Sequence, residues 1–440
     1  MSDIVVLGRT ADGLVAAHLL AGAGHRVTLI GDEPVAERMS GWVPSELARD
    51  LSLSELAIGR PEPWLRAPLA DGGVLELSSE MARSVASLRR ISARDAESWP
   101  RFSERMARLA RLLERIYLEP PPSLVDLRFA LRVRGLGREA MEDLMRLLPM
   151  PVAELLDDWF ESDALKGALG ALAVRHLRQG PRSAGTAFRL LHYHIGAPLG
   201  VFRAPRSNLP RTLRARPGVA LREAKVARIA ARAGEVTGVV LDDGEQVPAQ
   251  TVVSALDPRR TLDELVEPGA LDPELRHALR HVRSRGVAAR FALELDEPPA
   301  WETLTLAPSL DYVERAYDDV KYGRASARPW LDLVANGKTV DVHMQYAPHG
   351  KADGTAIAQL VASHLRGIRR GAPVAPPADW PDAQPHHAEL ALDQALWMRP
   401  LPELARYRTP IRGLWLGGPA MHPGIPGVCG YNCAKEIGRA

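Results

Sequence analysis

Hydrophobic and polar positions change their period several times along this chain of 440 residues. The first thirty residues contain three apolar runs in succession, "DIVVLG", "DGLVAAHLLAGAG" and "RVTLI". A buried β run, a helix that ends at glycine and a second β run are typical of a βαβ unit. The pattern therefore predicts that the chain begins as a nucleotide-binding α/β fold.

From about Leu53 to Leu191 the apolar residues recur mostly at helical spacing. The segment "AESWPRFSERMARLARLLERIY" places its large apolar side chains three and four positions apart, with arginines between them. Two interpretations of this segment stay open. It is an amphipathic helix with its basic face in water, or a helix that lies on a membrane surface.

Strand patterns return at about Gly218. The stretch "VARIAARAGEVTGVVLDDGEQVPAQTVVSAL" has short β runs separated by two turn signals, Ala-Gly-Glu and Asp-Asp-Gly, and predicts an antiparallel three-stranded meander followed by a return strand. The last stretch reads as a strand, a Gly/Pro-rich loop and a helix that begins near Val428.

Together these patterns predict an α/β fold with two lobes, because a chain of this length is too long for one compact core. A Rossmann-like lobe would be built from discontinuous segments, and an α+β lobe from the segments between them. The predicted ranges are 1–52 (βαβ unit, first lobe), 53–195 (mostly helical, second lobe), 196–262 (meander, first lobe), 263–405 (second lobe) and 406–440 (strand–loop–helix, first lobe).

Charge and cysteine content narrow the function classes. The formal net charge is only +2, which predicts no nucleic-acid partner. Cys429 and Cys433 are the two cysteines, so a disulfide framework is excluded and a cytoplasmic location is expected. They lie one helical turn apart and are expected to be buried structural residues. No spacing of ligating side chains predicts a metal site, and peripheral contact with a membrane stays open.

The turn after the first strand reads Gly8-Arg9-Thr10-Ala11-Asp12-Gly13. A Rossmann fingerprint has glycine at positions 8, 10 and 13, so that the backbone approaches a pyrophosphate. Thr10 brings a bulky side chain to where phosphate oxygens would lie, although its hydroxyl can donate a hydrogen bond. Asp12 adds like-charge repulsion. The alternative phosphate partners along the chain are Arg9, Arg38, Arg203 and Arg206.

Two further stretches contain candidate binding residues. Gly31 stands where a ribose-binding acid would follow the second strand, and Asp32 and Glu33 lie just beyond it. These carboxylates either reach a ribose or are solvated in a loop. Near the end of the chain, the loop from Gly424 to Gly427 leads directly into a helix, whose N-terminus suits an anion or an electron-rich ring edge. Alternatively, this loop simply caps the last helix.

Several blocks of the sequence resemble the phytoene-desaturase-like flavoproteins of the FAD-dependent amine oxidase superfamily. The blocks are "GLWLGGPAMHPGIPGVCGYNCAK", "LLDDWFESDALKGALGALAV", "GPRSAGTAFRLLHYHIG" and "VTGVVLDDGEQVPAQTVVSALDPRRTL". They are most similar to the branch called pyridine nucleotide-disulphide oxidoreductase domain-containing protein 2. The resemblance implies FAD as cofactor and removal of hydride from a long apolar substrate. The residues it implies at the cofactor are Gly8, Thr10, Gly13, Leu14, Asp32, Val226, Gly418, Ile425, Pro426, Gly427 and Val428.

The chain departs from this family at four positions that face phosphate or ribose. The departures are Thr10 with Asp12, Gly31, "PVAERMSGW" where a Gly-Gly pair would meet the pyrophosphate, and "RAPRSNLP" where a Gly-Gly-Met-Gly stretch would fall. Two functions therefore stay open. The protein is an FAD-dependent oxidoreductase acting on a hydrophobic or carrier-tethered substrate. Alternatively, it has lost FAD and is a non-redox enzyme or a binding partner of another protein. No residue is singled out as a catalytic base. His422 lies in "PAMHPGIPG", residues 419–427 before the last helix, which we call the closing loop, and it is expected to be structural.

Overall fold

The computed structural model describes residues 2–121, 138–348, 359–361, 364, 367–374 and 385–439. The strands within these ranges are, in chain order, β1 (Asp3–Leu7), β2 (Arg26–Ile30), β3 (Met39–Ser40), β4 (Ile58–Gly59), β5 (Leu65–Pro68), β6 (Val74–Leu77), β7 (Arg206–Ser207), β8 (Ala220–Arg222), β9 (Val226–Arg232), β10 (Glu235–Leu241), β11 (Gln246–Pro248), β12 (Thr251–Ser254), β13 (Ala288–Leu295), β14 (Thr303–Leu306), β15 (Leu331–Asn336), β16 (Thr339–Gln345), β17 (Ile368–Val374) and β18 (Leu414–Leu416).

The α-helices within the same ranges are α1 (Ala11–Gly22), α2 (Ser45–Asp50), α3 (Met81–Arg89), α4 (Ala93–Tyr117), α5 (Arg138–Leu147), α6 (Val152–Trp159), α7 (Asp163–Ala173), α8 (Thr186–His194), α9 (Leu209–Arg214), α10 (Pro273–Arg280), α11 (Leu310–Lys321) and α12 (Val428–Ile437). A short π-helical turn at Arg260–Glu264 follows β12. The predicted βαβ start, meander and closing helix are all present.

A parallel sheet forms the first lobe, with strand order β18-β12-β1-β2-β8. Strands from the start, middle and end of the chain are therefore neighbours, which confirms the prediction of a Rossmann-like lobe built from discontinuous segments. The continuous apolar run of β1 is typical of a strand covered on both faces. Its core also contains side chains of α1, α12 and the meander β9–β11. The sheet fixes α1 and α12 next to each other.

The second lobe combines helices with an antiparallel sheet of order β14-β15-β16-β13-β17. Side chains of α3 to α8 form one core with the hairpin β5–β6, and the sheet has a smaller core of its own. The two are joined by α11, which packs on α7. The predicted segments 53–195 and 263–405 supply these elements.

The arginine-rich segment forms α4, which begins after Ser92, whose hydroxyl accepts the N–H of Asp95. Its apolar residues Trp99, Phe102 and Met106 are completely buried in the helical core. The apolar face of this amphipathic helix therefore packs inside the protein, while arginines occupy the opposite face. Within the described ranges, none of the helices combines the length and the apolar character needed to cross a bilayer.

Candidate cofactor site

The N-terminus of α1 meets the N-terminus of α12 through a single carboxyl group. Oδ1 of Asp12 accepts the N–H of Gly427 at 2.7 Å and the N–H of Gly430 at 3.0 Å. Helix N-termini leave several N–H groups without an acceptor, and an acidic side chain satisfies them best. Asp12 thus caps α12 across more than 400 residues of sequence, a role that local patterns do not indicate.

The environment of Asp12 changes its charge. The side chain is only 1 % exposed, and burial raises the pKa of Asp12 to about 7, although the two N–H donors act in the opposite direction. The sequence suggests that Asp12 repels a pyrophosphate. The structure corrects this expectation: a carboxyl that is partly protonated at neutral pH and bonded to α12 exerts a weaker repulsion.

Thr10 is the N-cap of α1. Its Oγ1 accepts the N–H of Gly13 at 3.2 Å, and the O–H of the same group can still donate, as predicted. Because first-turn N–H groups have no acceptor within a helix, those of Ala11 and Asp12 stay available. Neither donates to a residue in the described part of the chain. Leu14 lies one position further on and is completely buried in the core.

At the end of β2, the side chain of Arg9 lies beside Gly31, and no acidic side chain stands at this position. A Cβ added at Gly31 would lie 3.1 Å from Cγ of Arg9, so the arginine stem fills the space beside this glycine. Nη1 of Arg9 lies 3.1 Å from Oε2 of Glu223. Asp32 is exposed in the loop beyond. Nη1 of Arg9 therefore pairs with a carboxylate, and the expectation that Arg9 binds phosphate stays a prediction.

Arg203 also pairs with a carboxylate. Its guanidinium makes two hydrogen bonds, of 2.7 and 2.8 Å, to the carboxylate of Asp332, which is completely buried. Arg175 and Thr305 bond to the same carboxylate. Arg203 is thus part of a buried ion pair with β15 of the second lobe. Arg38 and Arg206 form no ion pair with any residue that the structure describes.

The closing loop lies between the two lobes. Gly418 lies beside the end of β12, where a Cβ would clash with the carbonyl oxygen of Ala255. Ile425 and Val428 belong to the core of the second lobe, while Gly427, with a φ of +82°, lies near Val15 of α1. The remaining predicted positions are Pro426, which is partly buried in this loop, and Val226, the buried first residue of the meander.

His422 is a buried structural residue of this loop. Its Nδ1 lies 3.2 Å from the carbonyl of Leu396, and its Nε2 lies 3.1 Å from the carbonyl of Ile116. Burial lowers the pKa of His422 to about 4, so the ring is neutral and donates to only one of the two carbonyls. The histidine thereby ties the loop to the end of α4. Cys429 and Cys433 are buried and free, and burial raises the pKa of both thiols.

Two buried arginines next to this loop are not indicated by any sequence motif. Arg399 donates five hydrogen bonds to main-chain carbonyls, among them that of Pro419 at 2.8 Å. Arg189 is fully buried, and its Nε and Nη1 have no hydrogen-bond partner in the described part of the chain. Neither arginine pairs with a carboxylate in the described ranges. We call Arg189, Arg399 and the nearby His192 and His386 the cationic cluster.

The electrostatics of the cationic cluster are one-sided. Burial, reinforced by the charge of Arg189, holds the pKa of His192 and of His386 well below the ordinary value, so both imidazoles are neutral. Burial also lowers the pKa of Arg399 to about 10, which still leaves its guanidinium charged at neutral pH. Among the residues that the structure describes, the interior beside the closing loop therefore holds positive charge without a compensating carboxylate.

The residues present fit FAD in part. The parallel sheet and the open N–H groups of Ala11 and Asp12 suit a pyrophosphate at the N-terminus of α1. The ribose position does not fit the usual contact, because Arg9 covers Gly31. At the closing loop, the N–H groups of Gly427 and Gly430 are occupied by Asp12. The first turn of α1 is thus the part of the chain that would hold the diphosphate.

Replacing Thr10 by glycine is expected to tighten FAD binding by roughly tenfold or more. The change frees the Gly13 N–H, and a hydrogen bond to a charged group is worth about 1.5–3 kcal/mol. Quenching of flavin fluorescence measures the dissociation constant. Ser309→Gly is the matched control, because Ser309 caps α11 in the same way, 3.1 Å from the Tyr312 N–H, on an element of the second lobe. Equal affinity of the Thr10 variant and the unmodified protein would contradict this prediction.

Comparison with known proteins shows which family this architecture represents. The family model described as flavin containing amine oxidoreductase matches residues 45–430. The chain is 24% identical to pyridine nucleotide-disulfide oxidoreductase domain-containing protein 2 of Rattus norvegicus, over 99% of this chain and 93% of that protein. It is also 24% identical to a limonene dehydrogenase polypeptide of Castellaniella defragrans, over 99% and 94% of the two chains.

Among solved structures, the fold is similar to that of putrescine oxidase bound to putrescine, with a TM-score of 0.62 and 15% identity, over 100% of this chain and 99% of that one. The two-lobed architecture is thus shared across a large divergence in sequence. The family match favours the FAD-dependent alternative over loss of the cofactor. The chain belongs to the flavin-containing amine oxidoreductase family and is an FAD-dependent oxidoreductase.

Proposed function

We propose that this oxidoreductase removes hydride from an apolar, isoprenoid-like substrate, and that it does not act on protonated amines. The observation that carries the proposal is the cationic cluster beside the closing loop. A protonated amine loses its hydration when it enters an interior site, and two buried guanidinium groups would then repel it. A neutral apolar molecule meets no such penalty.

The walls of the closing loop support the same substrate class. Ile425 and Val428 share one core with the aromatic side chains of Trp64, Trp99 and Phe202. Apolar packing of this kind would keep water away from the closing loop and favour a hydrocarbon over a charged molecule beside it. The similarity to a polypeptide of limonene dehydrogenase, whose name refers to a monoterpene hydrocarbon, is in agreement with the proposal.

The chain's own residues contribute binding and orientation. FAD, when bound, supplies the chemistry by accepting hydride. The first turn of α1 would hold the diphosphate, and the closing loop is held in place by Asp12, His422 and Arg399. None of the titratable groups of the loop is poised to take a proton at neutral pH, since His422 has a pKa of about 4. The proposal therefore assigns the protein the tasks of positioning the substrate and excluding water.

Anaerobic reduction of the FAD-loaded protein tests the proposal. Absorbance at about 450 nm, which belongs to oxidised flavin, should fall when limonene is added and should stay unchanged with the same concentration of putrescine. Reconstitution is checked first, by gel filtration of the protein after incubation with FAD. Faster reduction by putrescine than by limonene would overturn the proposal.

A further inference from the structure

Two histidines lie on the exposed face at the C-terminal end of α10. They are His277 and His281, the first and last residues of "HALRH", and both are exposed. Residues four positions apart lie on the same face of an α-helix, so two imidazoles at this spacing reach the same point beside it. Neither residue belongs to the cofactor site or to the cationic cluster. We call His277 and His281 the histidine pair.

The two rings of the histidine pair turn the same atom towards each other. Nε2 of His277 and Nε2 of His281 are 3.0 Å apart, the ring centres are 4.4 Å apart, and the ring planes cross at 73°. The distance between the centres is shorter than the distance between the nitrogens plus the radii of two imidazole rings. The rings therefore do not meet head-on, and their Nε2 atoms converge on a point beside the line that joins them.

This convergence suits a metal ion better than a hydrogen bond. An N–H···N bond between converging rings is bent and therefore weak. Imidazole nitrogen binds a first-row divalent ion at about 2.0–2.1 Å, so two nitrogens at a right angle about the ion are about 3.0 Å apart, and about 3.4 Å apart in a tetrahedral site. The separation in the histidine pair matches neighbouring positions of a square-planar or octahedral ion, which are the geometries of Cu²⁺ and Ni²⁺ sites.

The backbone that carries the histidine pair is fixed at several points. The carboxylate of Asp272 accepts the N–H of Glu274 at 2.7 Å and caps the start of α10. On the opposite face, Leu279 is completely buried in the core of the first lobe. Arg276 pairs with Asp263 at 3.1 Å, which ties the helix to the π-helical turn. Because the scaffold is already ordered, an ion that binds here costs little conformational entropy.

The charged neighbours of the histidine pair are paired with carboxylates. Arg280 pairs with Asp263, and Arg283 pairs with Asp393. Their positive charges are therefore compensated and repel a cation less. Within the described ranges, no group of three or more His, Cys, Asp or Glu side chains could hold a metal ion. The histidine pair would thus supply two ligands, and water would fill the other positions of the ion.

We propose that the histidine pair binds a late first-row divalent ion through its two Nε2 atoms, Cu²⁺ most tightly and Ni²⁺ next. The ion joins two successive turns at the end of α10 and stabilises them. This site goes beyond the proposed oxidation and depends neither on FAD nor on the substrate. It departs from the sequence-based prediction of no metal site, because the arrangement of the two rings carries it.

Calorimetric titration of the full-length protein, purified without an affinity tag, tests the site with Cu²⁺ and with Ni²⁺. We expect His277→Gln and His281→Gln each to weaken binding by about tenfold or more, because one imidazole alone lacks the gain from a linked second ligand. The control is His25→Gln, which removes a histidine bonded to Ser2 in another part of the first lobe and should leave binding unchanged. Circular dichroism shows that each variant folds.

Two results of the titration would overturn the proposal. One is failure of the unmodified protein to bind either ion. The other is equal affinity of the unmodified protein and both histidine variants, which would mean that an adventitious ion binds elsewhere. Neither result involves oxidation of limonene, so failure of this proposal and failure of the proposed function are distinguishable.

Electron paramagnetic resonance of the Cu²⁺-loaded protein identifies the ligands directly. The unmodified protein should show coupling of the copper electron to two imidazole nitrogens, and each histidine variant to fewer. Ni²⁺ should also raise the melting temperature of the unmodified protein and leave that of the variants unchanged, because it binds the folded chain more tightly than the unfolded one. Copper coupled to no imidazole nitrogen in the unmodified protein would contradict the assignment.

Discussion

Gly430→Ala is expected to destabilise the protein by about 3 kcal/mol or more. A Cβ at this position would lie closer than 3.0 Å to the main-chain carbonyl of Asp12, a distance that real Cβ atoms do not reach. The carbonyl belongs to α1 and has no flexible end that could move aside. To relieve this steric clash, α1 and α12 must move apart. Their separation weakens the hydrogen bonds of Asp12 and the packing of the core between the two helices. Urea unfolding followed by circular dichroism measures the change.

The matched control is Gly22→Ala, near the end of α1. A Cβ at Gly22 meets nothing within 4 Å, so the substitution should be neutral or stabilise the helix by up to about 1 kcal/mol. A similarly small effect of Gly430→Ala would show that the two helices do not pack this closely.

Asp12→Asn is expected to make the free energy of unfolding depend less on pH. The folded-state pKa of about 7 lies above the ordinary 3.8, so the unfolded chain loses this proton at lower pH than the folded protein does. The contribution of Asp12 to stability is fully present below pH 4 and declines as pH rises towards 7. The total decline is roughly 4 kcal/mol, which the asparagine variant does not show.

The free energies of unfolding of both proteins should therefore converge below about pH 4 and diverge up to about pH 8, with the variant more stable at high pH. Asparagine keeps an oxygen that can accept the N–H groups of Gly427 and Gly430. Asp32→Asn, which removes an exposed carboxylate of the same lobe, serves as control for the change in net charge. A gap that stays constant from pH 4.5 to 8 would indicate an ordinary pKa for Asp12.

Local patterns were sufficient to predict the fold of the first lobe. The buried run of β1, the helix that follows Thr10 and the turn signals of the meander are short-range features, and each predicted element is present. The family resemblance supplied the association of these segments, which the parallel sheet confirms. The spacing of apolar residues and the identity of the turn residues do not by themselves predict that β18 lies beside β12.

The chemistry of the site was less predictable, because it depends on partners distant in sequence. Nothing near Asp12 shows that its carboxyl caps a helix at the other end of the chain, and nothing near Arg9 shows that it pairs with Glu223. In the sequence, Arg189 and Arg399 look like ordinary surface arginines. Only the tertiary packing shows that both are buried without a carboxylate partner among the described residues. A search for arginines within otherwise apolar segments would have found Arg189, in "AFRLLHYH".

The bond between Asp12 and Gly427 also has a consequence for biosynthesis. A ribosome makes the first helix early and its capping partner 415 residues later, and the neighbouring strand β18 is made almost as late. Until then the carboxyl of Asp12 has no helix to cap and one edge of the parallel sheet is uncovered. The first lobe therefore cannot complete its core during most of translation, and nascent chains stalled before residue 414 should depend on chaperones to stay soluble.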